Sequence, residues 1–559
     1  SVSGSGINIA MGKPSTRMRN FWRGGELFVW MTASGVAISL LMVAGMLVLI
    51  MINGLGQFWP RALQQVTLNT QETVIGQLVG EETIPHSMTT GAQSGQRRFR
   101  YRVGNRDQFG AEYRWINEAE IASMTFPDDL TLVERREWGL AFGRISLAGE
   151  GVAAAHADES TWQTVVKLVD RANQLRQRIE HLEREEIGSI NYRIEKARLA
   201  RQALVLKGGL DPAIADADRR LVDDIAALER DYLSKSEALE QLHKEASQDA
   251  LLFTISTGRS VRLSLDQIVA VSRPNAMNWL EKLGAYVRNL WFFVSSEPRE
   301  ANTEGGIFPA IFGTVLMVFL MTLAVMPFGV MAAVYLREYA KQGPLVRLVR
   351  IAVNNLAGVP SIVFGVFGLA FFVYALGGSI DQILFPEALP NPTFGTGGIL
   401  WASLTLALLT VPVVIVATEE GLSAVPRDFR EGSVGLGATK FETIRHVILP
   451  CALPGILTGL ILAMARAAGE VAPLMLTGVV KLAPALPLDE YLPFLHLERK
   501  FMHLGFHIYD VGFQSPNVEA AKPMVYMTTL ILILVVVLLN LAAVMLRNRL
   551  RKRFATSAV

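Results

Sequence analysis

Residues 431–450, EGSVGLGATKFETIRHVILP, decide how this chain is read. The stretch is polar and basic, and it joins two segments that are each apolar enough to span a membrane. Glu431 is followed by two small residues, Gly432 and Ser433. Gly437 stands six positions after the acid, and Val447-Ile448-Leu449-Pro450 closes the run. Glycine at 437 lets the chain turn tightly between two short helices or approach a partner surface closely. Glu431, read as lying near a helix start, is favoured there by the helix dipole and can pair with a basic group on a partner. Leu449-Pro450 is read as ending the loop and starting the next span.

Composition points to a membrane. Hydrophobic residues make up 51% of the 559 and charged residues only 19%, against about a quarter in a soluble domain. The net charge of +2 says nothing about nucleic acid. Cys451 is the single cysteine, so an intrachain disulfide and a multi-cysteine metal site are excluded. The Gly/Ser-rich residues before Met11 carry no structural expectation.

Six stretches reach the ~20 residues needed to cross the hydrocarbon core: 27–52, 306–335, 356–376, 398–417, 453–480 and 524–546. The first is too long for a signal-peptide core and lacks a small-x-small cleavage pattern after it, so it reads as a retained helix. The second to fifth carry Pro327, Pro360, Pro412 and Pro473. Proline in a span frees backbone groups that protein or water must satisfy, so these helices are expected to face the bundle. Lys and Arg flank alternate ends: Lys13, Arg17, Arg19 and Arg23, then Arg337, Lys341, Arg347 and Arg350, then Arg427, Arg430, Lys440 and Arg445, then Arg547 to Arg553. The loop 377–397 has Asp381 and Glu387 but no Lys or Arg. The expectation is a multi-pass protein with residues 1–26, the loop 431–450 and the tail 547–559 in the cytoplasm.

Residues 53–305 are too long for a connection and read as an α+β insertion on the opposite side. Strand patterns fall at 72–78, 98–103, 112–116, 142–147, 252–256 and 260–265, suggesting a small barrel or sandwich. Between them lies a hairpin, about 159–248. Val165, Leu168, Ala172, Leu175, Ile179 and Leu182 step by three and four, and the series resumes after a slip at Ile187, Ile190 and Ile194. Ile214, Ala217, Leu221, Ile225, Leu228, Tyr232, Leu239 and Leu242 return, which reads as an antiparallel coiled coil. Gly208-Gly209 is expected to end the first helix, and Asp211-Pro212 to start the second. The plainer role is a structural arm; the other is docking of a partner. His156, His181 and His243 sit among solvated charges, and His496, His503 and His507 lack carboxylates at clear ligand spacing, so no metal site is read.

The loop 431–450 resembles the coupling loop of ABC importer permeases, E-A-A, three residues, G, nine residues, I-x-L-P. Gly432 and Ser433 replace the alanines and Val447 the isoleucine. Further resemblance, to the A-type (PstA) permease subunit of bacterial phosphate importers, is carried by Ser296-Glu297-Pro298-Arg299-Glu300 and Gly305-Gly306-Ile307-Phe308-Pro309-Ala310-Ile311. Asn355-Leu356-Ala357-Gly358-Val359-Pro360-Ser361-Ile362-Val363, Ala465-Arg466-Ala467-Ala468-Gly469-Glu470-Val471-Ala472-Pro473-Leu474 and the entry Ala520 to Tyr526 add to it. The resemblance covers the C-terminal half. It implies a six-helix type I importer permease fold (306–546 completing the core), a homologous C-type permease, two ATPase subunits and a periplasmic phosphate-binding protein, in the bacterial inner membrane. The long insertion and 481–522 depart from the family pattern.

Arg466 and Glu470 then stand out, because a charge inside a span costs at least ~2.5–3.5 kcal/mol on insertion scales. At i, i+4 they share a helix face and can pair. A guanidinium suits a tetrahedral anion better than an ammonium does, and Glu470 would neutralise Arg466 between passages. The plainer reading is a salt bridge that holds helices together. Asn354 and Asn355, read at the start of the third span, line the same path or cap a helix. No G-x-x-x-x-G-K-[ST] phosphate loop exists, and Gly435 to Lys440 has the wrong spacing, so ATP and Mg belong to a partner and the chain is read as non-catalytic. Phosphate import is the leading expectation. Transport of sulfate or molybdate and a membrane-anchored coiled-coil signalling scaffold are its rivals.

Overall fold

The computed structural model describes residues 26–83, 97–148, 159–207, 212–299, 302–515 and 518–555. The basic residues before the first span, His156, and the turn residues Gly208, Gly209 and Asp211 lie outside these. Among the described residues, six helices are long and apolar enough to cross a membrane. The first, α1 (Glu26–Leu55), leads into the insertion.

Ten strands build two five-stranded antiparallel sheets there: β1 (Gln64–Leu68), β2 (Thr73–Thr83), β3 (Arg97–Arg102), β4 (Tyr113–Asn117), β5 (Ile121–Thr125), β6 (Thr131–Arg135), β7 (Leu140–Ala148), β8 (Ala250–Thr254), β9 (Ser260–Ser264) and β10 (Ile268–Ser272). One sheet runs β4-β3-β2-β1-β5 and the other β10-β6-β7-β8-β9. Strand alternation does the sorting: in β3, Phe99 and Tyr101 point into the core while Arg98 lies over Trp115 outside. Leu63, Ile75, Leu130 and Phe142 pack together between the two sheets. All six expected strand segments are strands. Four more, β1, β5, β6 and β10, escaped the sequence reading.

Between β7 and β8 come α2 (Glu159–His181), α3 (Gly188–Leu206) and α4 (Pro212–Gln248). Val165, Val169 and Ala172 of α2 roof the second sheet. A π-helical stretch, Leu182–Ile187, joins α2 to α3, and its extra residue accounts for the slip in the apolar stripe. The return helix α4 runs antiparallel, with Arg171 against Glu245, Lys235 against Glu186, Arg198 against Glu229 and Arg201 against Asp218. After β10, α5 (Trp279–Ser295) opens on a capping box between Asn278 and Glu281.

The remaining helices follow, five of them spans: α6 (Phe308–Val334), α7 (Pro344–Leu356, too short to span), α8 (Ser361–Leu384), α9 (Ile399–Ser423), α10 (Arg427–Gly435), α11 (Lys440–Gly469), α12 (Ala472–Thr477), α13 (Leu504–Tyr509) and α14 (Val518–Ala555), the spans being α6, α8, α9, α11 and α14. The most buried span, α9, packs on both α6 and α11. Small residues let the backbones meet: a Cβ on Gly455 would stand 2.6 Å from the Cα of Gly421, and one on Gly459 2.3 Å from the Ala417 Cβ.

Two spans differ from expectation. The third begins at Ser361, not 356, because Pro360 caps it rather than lying inside it; the residue before a proline avoids the helical region. The fifth stops at Gly469, and Pro473 belongs to the separate α12. Pro327 and Pro412 do lie within their helices.

The segment between α12 and α14 is closed by buried polar groups. Asp510 pairs with Lys481 at 3.2 Å and accepts from Asn302 at 3.1 Å. The Leu504 amide donates to Thr314 of α6, and His503 Nδ1 accepts from the Gly505 amide. Burial pushes His503 down to about 3 and His507 to about 4. Unfolding returns both imidazoles to water, where they bind protons near pH 6.5. Their stabilisation is therefore complete above that value and is lost as pH falls towards 4 and 3. Thermal unfolding followed from pH 7 to pH 4 should show a falling midpoint, and His503→Asn, which keeps an acceptor but cannot titrate, should flatten part of that slope.

Candidate functional site

Helix α11 breaks at Glu470, whose backbone turns extended (φ −79°, ψ 134°) after the last helical residue, Gly469. Arg466 thus occupies the last turn, where the helix dipole favours a cation. Arg466 and Glu470 therefore stand at the end of the helix rather than inside a continuous span to 480. The Arg466 Nε stands 3.5 Å from Glu470 Oε1, with the side chains 33% and 21% exposed. That distance is at the long limit of a hydrogen bond, and the terminal nitrogens of Arg466 contact no partner among the described residues. Ala463, Ala467 and Ala468 are packed away in the core on the same helix. The arrangement is a loosely held ion pair at a helix break, open enough for the guanidinium to change partners.

Asn354 and Asn355 are not at the start of the third span. They are exposed near the end of α7, and the Asn355 carbonyl accepts from the Gly358 amide at 3.0 Å, closing that helix. Among the described residues no hydrogen bond ties either to Arg466 or Glu470. An open apolar groove of about 460 Å³ lies beside Pro327, lined by Phe319, Leu323, Met326 and Met331 among others, and the pair does not line it.

The segment 427–450 has its own architecture. Helix α10 starts at Arg427, so Glu431 is in its second turn and exposed; the acid of the first turn is Asp428. Gly437 has φ +90°, a backbone that residues with a Cβ adopt at a cost. Open space surrounds it. Thr439 and Glu442 form a capping box that starts α11, and Ser433 Oγ meets Thr443 Oγ1 at 3.0 Å across the turn. The second of the two expected short helices is therefore the first turns of α11 itself. Leu449 and Pro450 lie within that unbroken helix, just past a π-helical stretch, Ile444–Ile448, that accommodates the proline. Arg430 anchors the loop, donating to the Leu422 carbonyl at 2.7 Å and pairing with Glu338 at 3.1 Å.

The sequence reading missed the apolar tip. Leu436 is 91% exposed, and Val434, Phe429 and Phe441 are exposed around it. Leucine between two glycines in a polar loop was the available signal.

At the other end the hairpin lies against the spans' connections. Arg184 pairs with Glu297, Tyr192 stacks on Tyr491 at 4.8 Å, and Tyr192 donates to the Leu492 carbonyl at 2.8 Å. Helix α3 also packs on the turn Pro386–Ala388. His496 sits between Asp489 at 2.9 Å and Glu498 at 3.1 Å, and Arg499 pairs with Asp489, which fixes the loop that carries Tyr491. His496 thus has carboxylate neighbours that spacing did not reveal, whereas His503 and His507 are buried elsewhere.

Residues 325–552 match the family described as binding-protein-dependent transport system inner membrane component. A probable ABC transporter permease protein, YqgI of Bacillus subtilis, is 32% identical over 41% of this chain and 74% of its own length. The phosphate transport system permease protein PstA of Mycobacterium leprae is 38% identical over 31% of this chain, which spans half of that relative. PstA of Yersinia pestis is 36% identical over 34% of this chain and 59% of its own. Among solved structures, the MetNI methionine ABC transporter in inward-facing form matches 47% of this chain and 97% of its own at 19% identity, with a TM-score of 0.32.

The loop geometry makes one structural prediction. Arg430→Ala removes the tie to Leu422 and leaves Glu338 unpaired in a half-buried setting, so amides of 427–436 should exchange hydrogen faster while those of the hairpin stay unchanged. Equal protection in both proteins would mean that Arg430 does not anchor the loop.

Proposed function

The chain belongs to the family of binding-protein-dependent transport system inner membrane components, and from that premise we propose that it is the permease subunit of an ATP-driven importer of inorganic phosphate. One observation carries the reading: a loosely paired Arg466, whose terminal nitrogens have no partner among the described residues, at the break between α11 and α12. A planar cation with several donors is what a tetrahedral anion needs for brief binding. Glu470 competes for the same cation and so limits trapping. Similarity to permeases named for phosphate supports this anion over sulfate or molybdate, which charge alone does not rank.

In this reading the insertion is periplasmic, the loop 427–439 is cytoplasmic, and the membrane is the bacterial inner one. Energy comes from a separate ATPase pair, on which Leu436 and its neighbours dock. A second, homologous permease completes the pathway, and a periplasmic phosphate-binding protein delivers the anion. Asn354 and Asn355 serve as helix-end residues rather than pathway residues. The coiled-coil hairpin is a brace: Arg184, Tyr192 and α3 tie the connections before α6, after α8 and after α12 to one rigid element. A signalling role for the hairpin has no observation of its own in its favour.

Arg466→Gln should abolish labelled phosphate uptake while ATPase co-purification stays intact, and Arg466→Lys should transport poorly because the donor fork is lost. In Arg466→Gln with Glu470→Gln, no charge is left unpaired. Assembly without uptake is the expected result, and restored uptake would reduce the pair to a structural bridge.

For coupling, Gly437→Asp and Leu436→Asp should each leave the protein inserted yet release the ATPase. The first adds a side chain at positive φ, and both bring a charge that docking would desolvate at a cost of several kcal/mol. Normal ATPase binding by both variants would remove this loop from the interface.

Shortening the hairpin by 188–235 spares the α2 turns that roof the second sheet. Uptake should persist in that variant, with faster hydrogen exchange at 386–388. Complete loss of uptake in a stably inserted protein would assign the hairpin an essential part.

A further inference from the structure

Helix α5 carries two faces that its own fold does not use in the same way. Ala285 and Phe293 are buried, with Phe293 against Phe58 at 5.2 Å and Tyr286 against Trp59 at 6.0 Å, just beyond the end of α1. On another side Trp279, Leu280, Leu283, Val287 and Trp291 are all exposed. At 100° per residue these five fall within one third of the helix circumference. Glu281 and Arg288, also exposed, lie beyond its edge. A water-soluble surface rarely keeps so continuous an apolar stripe on one helix.

The level of this helix is fixed by its neighbours. The Ile307 amide donates to the Phe293 carbonyl at 2.9 Å and the Phe308 amide to the Ser296 carbonyl at 3.1 Å. The last turn of α5 is thus hydrogen-bonded to the first residues of α6, while its side chains pack on the end of α1. Both of those helices are apolar enough to span. The C-terminal end of the stripe therefore stands beside the start of one apolar span and just past the end of another.

We infer that α5 is an in-plane interfacial helix, whose Trp279–Trp291 stripe lies in the headgroup and upper acyl region of the outer leaflet. Its occupant is the lipid surface itself. Tryptophan at both ends suits that zone, since the indole has an apolar body and a donor that headgroups satisfy. The charged edge, Glu281 and Arg288, faces water. This anchor lies outside the six spans and holds the β-rich insertion at a fixed height above the membrane. The inference stands apart from phosphate transport and does not depend on it.

Nitroxide labels test it in the full chain, reconstituted in phosphatidylcholine–phosphatidylglycerol bilayers with Cys451→Ser as background. Leu283→Cys and Val287→Cys should collide freely with oxygen and hardly at all with a water-soluble nickel chelate. Glu281→Cys and Arg288→Cys, on the polar edge, should show the opposite. Strong nickel collision at 283 and 287 would mean that the stripe stands in water, and the inference fails. Weak collision with both reagents would mean that protein covers it, and the inference fails equally.

Discussion

Close backbone contact around the fourth span is the constraint on which the rest of this structure depends. Lipid offers helices no hydrophobic reason to associate, so packing must supply it. Gly421 and Gly455 meet with no side chain between them, Gly459 receives the Ala417 methyl, and a Cβ on Gly329 would stand 2.6 Å from Val414 Cγ1. These contacts clamp α9 between α6 and α11. They also fix the position of the last turns of α11, because Ala463, Ala467 and Ala468 are packed in the same core. Arg466 and Glu470 are held at the break as a result, on a helix that cannot slide.

The same helix begins in the loop that bears Leu436. From Lys440 to Gly469 it runs as one continuous helix with a π-helical stretch at Ile444–Ile448, and it links the docking surface proposed for the ATPase to the charged pair at its far end. A push on the loop need not pass through a chain of side chains to be felt at Arg466. The capping box at Thr439 and the Arg430–Glu338 pair keep the loop in register with the helix. At the opposite end the hairpin packs against the connections, and the last turn of α5 is hydrogen-bonded to the start of α6.

Much of this was legible in the sequence. The six spans followed from length and apolarity, and the nearness of Arg466 to Glu470 from their spacing, although Glu470 stands just past the end of the helix that the spacing assumed. The slip at Ile187 was visible as a five-residue step, and a π-helical stretch is what absorbs it. The break at Glu470 was hidden for a physical reason: Val471 to Val480 is as apolar as the helix before it, so hydropathy ran on. Gly469 and Pro473 were the stop signals there. Pro360 misled in the opposite direction, since a proline inside an apolar run was placed within the span when it caps a new helix. Asn354 and Asn355 went with it onto the wrong element. Leucine between two glycines hinted at the exposed tip, but which face of α5 stays uncovered depends on what the fold packs against it, and the sequence pattern alone does not record that.

The most direct measurement of the central claim is accumulation of labelled phosphate in proteoliposomes that hold this chain with its partner permease, ATPase and binding protein. Phosphate should accumulate only when ATP is supplied on the loop side, and excess sulfate or molybdate should not compete. ATP-driven accumulation of sulfate with phosphate left outside, or phosphate entry that needs no ATP, would contradict the account.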